Sequence, residues 1–345
     1  MVCSICYEYG HNKKTCFNYI LPEFVDELTK KGTLNSIESG SVDKSSKKEA
    51  LKIIESDIKL FYDSQNRKDN DETNKKREEI IKLLNKGNPY PNNKKWVEFY
   101  KEFTNYIDRL KPPNTHKYTI DIKGGRKYHF DFLIKYYDIN ENFICENKIE
   151  FKDNVSKLNQ CPQFVSPMYP SQYFDCVVPY EEIFYQDYLP KICKKLDISK
   201  PDKDLYIKQI HSNKPKCVNL IQEAYYKGSK QSSKFTKKNI DIENYNLMNY
   251  QSKNSIKYFL TKNKLNIPVM NKYLISTQKD KIYMLWDKNS FHIQKVNIDD
   301  YTIDYFVKIK NNNTVVCKTK SNKEINILLR WKNGSGVAFP ALQIS

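Results

Sequence analysis

Residues 127–151 read KYHFDFLIKYYDINENFICENKIEF, two apolar β-type runs flanking the polar turn DINEN. Such runs fold as paired strands, and their alternation fixes which side chains share a face. Asp131 is embedded in HFDFLI, and Glu146 and Lys148 in NFICENKIEF. Charges inside apolar strands are costly to bury unless they meet one another or a metal. Glu146 and Lys148 are two apart, so both leave the same face, and antiparallel pairing would bring Asp131 beside them. Two carboxylates and an ammonium together suit Mg2+ held through oxygen ligands, acting on a phosphodiester. Lys148 would then orient or deprotonate the attacking water, or stabilise the charge that develops on phosphorus-bound oxygen. The alternative is a structural Glu–Lys bridge between strands. Spacing alone selects little in so lysine-rich a chain, since Asp57–Lys59, Asp121–Lys123 and Glu150–Lys152 share it. Asp121–Lys123 ranks second, because it adjoins Gly124–Gly125 and has no strand acid before it. His129 alternates to the side of Asp131 and is either a site-lining or a solvent-facing residue.

The 345 residues carry 58 Lys and Arg against 41 Asp and Glu, a net charge of +17. The excess is uneven: residues 201–345 hold 25 basic against 11 acidic side chains, whereas residues 1–200 hold 33 against 30. A basic half rich in tyrosine and phenylalanine suits a polyanion, through phosphate contacts and stacking on bases. Abundant Lys, Asn, Ile and Tyr would also follow from an AT-rich coding sequence. No apolar run reaches the roughly 18 residues of a membrane span. Neither a signal peptide nor a membrane partner is expected.

The segment CSICYEYGHNKKTC gathers three of the nine cysteines with one of the five histidines. Cys3, Cys6, His11 and Cys16 stand in the order C-x2-C-x4-H-x4-C and would complete a closed tetrahedral zinc shell. With no position left for water, that zinc would be structural and would fold the unit. Gly10 gives the tight loop backbone freedom beside His11. The segment resembles the CCHC zinc knuckle, a family that binds single-stranded nucleic acid. Tyr7 or Tyr9 would supply the base stacking. The remaining cysteines are scattered among apolar neighbours, which points to an intracellular, reducing compartment, nucleus or cytoplasm, including that of a virus-encoded protein.

Along the chain the patterns divide into a knuckle (1–18), a helical, charged linker region (19–93), an α/β core (94–200) and a basic, β-rich region (201–345). Trp96, Phe99, Tyr100, Phe103, Ile107 and Leu110 recur at helical spacing and stop at Pro112–Pro113. The strands KYTIDI, KYHFDFLIKY and NFICENKIEF follow, then a helix-compatible stretch at 153–166, a strand in YFDCVVP, and a helix Glu181–Leu196 broken by Pro190. Further helices are expected at Val218–Tyr226 and Ser255–Lys262. KYLIST, KIYMLW, SFHIQKV, YTIDYFVKI, TVVCKTK and INILLRW read as short strands of a meander or small barrel. Arg330 and Lys332 would grip phosphate, with Trp331 either stacking on bases or packed in the protein.

The order helix, three strands, helix, strand, with fourteen residues between Asp131 and Glu146-x-Lys148, resembles the PD-(D/E)XK restriction-endonuclease-like nucleases. Phe130 stands where the name-giving proline would be. The resemblance covers about residues 94–196 and implies an α/β (α+β) fold with a restriction-endonuclease-like core. It implies a Mg2+-dependent endonuclease that hydrolyses DNA phosphodiester bonds, with Asp131 and Glu146 as metal ligands and Lys148 assisting the water. A further acid from the first helix, Glu98 or Glu102, and a glutamine, Gln160 or Gln163, are also implied. The expected partner is double-stranded DNA, with the oligomeric state, a homodimer included, left open. The alternatives are an RNA-directed nuclease and a non-catalytic nucleic-acid-binding protein with a degenerate nuclease fold.

Overall fold

The computed structural model describes residues 44–63, 71–91, 93–124, 128–160, 164–167, 169–212, 216–331, 334 and 340–345. The expected zinc ligands Cys3, Cys6, His11 and Cys16, with Tyr7 and Tyr9, lie outside the described residues, as do Gln163 and Lys332. The chain is a mixed α+β protein of two compact units. One is formed by the described residues up to Lys157 together with Asp280–Lys295. The other comprises Leu158–Lys279 and Val296–Ser345. No described helix is long and apolar enough to cross a membrane.

The first unit opens with helices α1 (Lys44–Tyr62), α2 (Asp71–Leu84) and α3 (Lys94–Leu110), followed by strands β1 (Lys117–Ile122), β2 (Phe132–Tyr137) and β3 (Phe143–Asp153). Helix α3 starts at Asn93, whose side chain accepts from the N–H groups of Lys95 and Trp96, and it buries Trp96, Phe99, Phe103, Tyr106 and Ile107. The region 19–93 is not simply a linker. Ile54, Ile58 and Phe61 of α1, and Ile80, Ile81 and Leu84 of α2, belong to the same core as α3. The last carbonyls of α1 are held from outside the helix. The Arg77 Nε–H donates to Leu60 O at 3.0 Å, and the Trp286 indole N–H to Phe61 O at 2.9 Å.

The chain then enters the second unit: β4 (Phe164–Pro167), β5 (Phe174–Asp175), α4 (Tyr180–Ile183), α5 (Leu189–Leu196), α6 (Lys203–Ile210), α7 (Asn219–Gly228), α8 (Asn239–Lys262), β6 (Lys264–Leu265) and α9 (Ile267–Gln278). It returns to the first unit for β7 (Lys281–Trp286) and β8 (Phe291–Lys295). It ends in the second with β9 (Ile303–Lys310), β10 (Thr314–Thr319), β11 (Glu324–Trp331) and β12 (Pro340–Ile344).

The sheet of the first unit has the order β1-β2-β3-β7-β8. Strands β1 to β3 form an antiparallel meander, and β7 lies parallel to β3, with Ile149 beside Ile282. A parallel neighbour needs a crossover of a dozen or more residues. Here residues 158–279, the larger part of the second unit, lie between β3 and β7. The boundaries therefore differ from those expected at 93 and 200. The fourth core strand is KIYMLW, not YFDCVVP, of which only Phe174–Asp175 pairs, with Lys264–Leu265. One face of the sheet, carrying Phe132, Ile134, Ile149, Phe151, Met284 and Trp286, packs on the helices. Trp286 is at its centre, with Phe99 at 5.1 Å and Phe291 at 4.6 Å between ring centroids.

The second unit joins its helices to the sheet β4-β12-β11-β10-β9. Three local expectations change there. Among the described residues of 153–166 only the single turn Leu158–Gln160 is helical, and Phe164–Pro167 pairs as a strand with β12. KYLIST belongs to α9, since Asn266 caps the Val269 N–H, Pro268 sits in the first turn, and Met270 and Leu274 share a buried face. The helix read at Ser255–Lys262 begins at Asn239. At Pro190, which cannot donate to the preceding turn, Phe184–Tyr188 widens into a π-helical turn.

Candidate acidic site on the sheet

Register decides which acid faces which. Phe132 pairs with Ile149, Leu133 with Lys148 and Lys135 with Glu146. Asp131 stands one residue before β2, and its N–H still donates to Ile149 O at 2.9 Å. Continuing the ladder puts Asp131 opposite Glu150, where paired side chains leave the same face about 5 Å apart. The Asp131 carboxylate accepts from the Phe151 N–H at 2.9 Å, which fixes it at the end of the strand pair. Lys152, two residues beyond Glu150, reaches back to the Glu150 carboxylate at 2.7 Å. Lys281 of β7 completes the group, its Nζ 3.6 Å from the other Glu150 oxygen and its side chain only 2% exposed.

The structure does not bring Glu146 to Asp131. Glu146 is exposed and lies four residues further along the pair, about 13 Å at 3.3 Å per residue. Lys148 lies across from Leu133 on one side and Lys281 on the other. The expected Glu146-x-Lys148 triplet is therefore replaced at Asp131 by Glu150-x-Lys152. Asp121 and Lys123 are a surface pair at 3.5 Å, with Lys135 3.9 Å from the same carboxylate. His129 is exposed in the loop before Asp131.

Glu102 does not join the site either. It lines a groove with Asn105, Asp108, Arg109 and Ser290–His292. The helix that carries it, α3, packs on the core face of the sheet, opposite to the face of Glu150 and Lys152. The helical acid felt at Asp131 is Glu78 of α2. In the turn Asp287–His292, one imidazole nitrogen meets both Asp287 at 2.7 Å and Ser290 at 3.2 Å. A triad uses the two ring nitrogens separately, so this is a turn-stabilising contact.

Electrostatics mark the cluster. Burial pushes the Asp131 carboxyl up to about 8, and the neighbouring Glu150 and Glu78 charges push in the same direction, against Lys152 and the Phe151 N–H. Burial and then Glu150 raise Glu78 to about 7. Burial pulls the Lys281 ammonium below its ordinary range, while Glu150 opposes that. The donor set is all oxygen. Among the described residues no group of three or more His, Cys, Asp or Glu side chains is placed to hold a metal ion. Asp131 and Glu150 are the two carboxylates that could hold a hard cation, which would keep several waters. Such an ion would offset the Glu150 repulsion that adds to burial in raising the Asp131 carboxyl.

In the second unit, Arg330 donates from Nη1 to the Gln343 side chain at 2.9 Å. Trp331 is a core residue, 7% exposed, whose indole N–H donates to the Tyr180 hydroxyl at 2.8 Å. That assigns Trp331 to packing and not to base stacking. Comparison with protein-family models, with curated proteins and with solved structures finds no match for this chain.

Proposed function

We propose that the chain is a Mg2+-dependent endonuclease that hydrolyses DNA phosphodiester bonds. Asp131 and Glu150 hold the cation, and Lys152 contacts the attacked phosphate. The observation that carries this reading is the pairing of Asp131 with Glu150 across β2 and β3, with Lys152 beside Glu150 on the same face. The three-stranded meander followed by a parallel fourth strand also supports a restriction-endonuclease-like core. A divalent cation there would polarise the phosphodiester and lower the pKa of a bound water. Lys152, tethered to Glu150, is placed to orient water or to stabilise charge on the phosphate. Glu78 approaches from α2 as the further helical acid. Cys3, Cys6, His11 and Cys16 are proposed as ligands of one structural Zn2+.

One observation favours a second reading, a non-catalytic nucleic-acid-binding protein. Lys152 and Lys281 already offset the charge of Glu150, as a purely structural ion network would. A plasmid-nicking assay with Mg2+ or Mn2+ separates the two. Glu150→Gln should lower cleavage about 10²–10⁴-fold, Lys152→Ala about 10²-fold, and Glu146→Gln less than threefold. A wild-type protein that binds DNA but never cuts it with either ion would establish the second reading.

A further inference from the structure

The acidic site accounts for none of the side chains around a cleft in the second unit. Tyr225 and Tyr226, in the last turn of α7, line it with Ser229, Gln231, Ser232, Ser233, Lys234 and Gly334, around a volume of about 430 Å³. Pockets of roughly 300–1,000 Å³ are the usual size for small-molecule groups. One wall is aromatic and braced. Tyr225 packs on Tyr226 at 5.8 Å and on Tyr245 at 5.0 Å between centroids. Gly334, with φ +114°, lies so close to the Tyr225 ring that a Cβ would come within 3.2 Å of it. The other wall is polar and tied into turns. Ser232 donates its N–H to Ser229 O at 2.9 Å, and the Lys234 N–H donates to the Ser232 hydroxyl at 3.0 Å.

A flat ring would lie against the tyrosines, hydroxyl and amide groups would meet its polar edge, and an ammonium would stand at the rim. That combination matches a nucleotide: a base that stacks, edges that hydrogen-bond, and a phosphate that pairs with Lys234. The basic excess of residues 201–345 draws a polyanion to this half of the sequence. A base in duplex DNA is stacked and paired within the helix, so only an unpaired or extruded base can enter a pocket. We propose that this cleft takes one unpaired nucleotide of a nucleic-acid strand, with the base against Tyr226 and Tyr225 and the phosphate at Lys234. The inference takes its ligand from the nuclease reading above, and it narrows the substrate to nucleic acid with a single-stranded or extruded base.

The test is binding by the full chain with its zinc retained and no Mg2+ added, read as anisotropy of a fluorescein-labelled dT20, of the same strand with all bases removed, and of a 20-base-pair duplex. The dT20 strand should bind about tenfold tighter than the abasic strand. Tyr226→Ala should erase that preference and Tyr226→Phe should keep it. Lys234→Ala should weaken both strands equally and reduce the salt slope by about one. Equal binding of dT20 and abasic strand overturns the proposal. So does an intact preference in Tyr226→Ala, or a duplex bound as tightly as dT20 and equally sensitive to that change. Cleavage with Mg2+ is scored separately with Glu150→Gln. A failed cleft with an intact nuclease, and an inactive nuclease with an intact cleft, are then distinct results.

Discussion

Asp131 and Glu78 carry a consequence that can be measured without any substrate. Both carboxyls titrate above their ordinary values, Asp131 near 8 and Glu78 near 7. Between about pH 4 and pH 8 the native protein therefore holds protons that the unfolded chain has released. The native state is favoured at the acid end of that window, and stability falls as pH rises through the folded values. Asp131→Asn removes the charge but keeps an oxygen to accept the Phe151 N–H, so its melting temperature should fall less than the wild type's between pH 5.5 and 8.5. A divalent cation acts in the opposite sense, since it binds the ionised pair and releases the proton. Mg2+ should raise the wild-type melting temperature more at pH 8.5 than at pH 5.5, and hardly at all in Asp131→Asn. A Mg2+ shift of equal size at both pH values and in both proteins would remove Asp131 from the metal site. Asp131 itself was legible in the sequence as an acid inside an apolar strand, and its partner was only half so. Glu146, Lys148, Glu150 and Lys152 all alternate to one face, and choosing among them needs the register. The DINEN turn holds most of that information, because Tyr137 pairs with Phe143 across it. Counting outward from there reaches Ile149 opposite Asp131, and Glu146 is already excluded. An irregularity next to Tyr136, which nothing in the sequence announces, shifts the register by one residue and brings Glu150 into place.

Elements were legible where their own side chains decide them. The spacing of Trp96, Phe99, Phe103 and Ile107 gives α3, because each of those residues reaches the core. KYLIST is the opposite case: its short apolar alternation fits strand or helix, and the Asn266 cap with Pro268 behind it settles on helix. The Asn93 cap permits a graded check. Asn93→Ala should cost about 1 kcal/mol in a denaturant titration, since two N–H groups of the first turn lose their acceptor. Gly228, where α7 ends against α8, should respond far more strongly. A Cβ there would overlap the Asp241 carbonyl oxygen and lie 2.5 Å from the Tyr245 Cβ. Gly228→Ala should destabilise the second unit by about 1–3 kcal/mol and lower its unfolding midpoint, because the two helices must move apart. A midpoint equal to wild type would mean that α7 and α8 do not cross this closely.

At the scale of the whole chain, what no local pattern showed is that the first unit is built from two distant stretches of sequence. KIYMLW has the composition of a strand buried on both faces, and all six of its residues are buried. Its neighbour, however, is β3, more than a hundred residues earlier, and only a tertiary pairing reveals this. The split makes residues 280–295 part of the first unit and separates them from the rest of the basic region 201–345. Trp286 and Phe291 supply much of the core against α1 and α3, and Lys281 stands beside Glu150. A chain ending at Lys157 would leave β3 as an open edge and strip those rings from Phe61, Phe99 and Phe103. Such a fragment should show no cooperative thermal transition, although α1, α2, α3 and β1 to β3 are all present in it. Within the full chain, Trp286→Ala should cost about 3–5 kcal/mol, the range for a large buried aromatic, and the indole hydrogen bond to Phe61 O would be lost with it. Trp286→Phe keeps the ring volume in part and should recover roughly half of that loss. A fragment 1–157 that melts cooperatively at the wild-type temperature would show that β7 is an accessory to the core and would separate Lys281 from the acidic site.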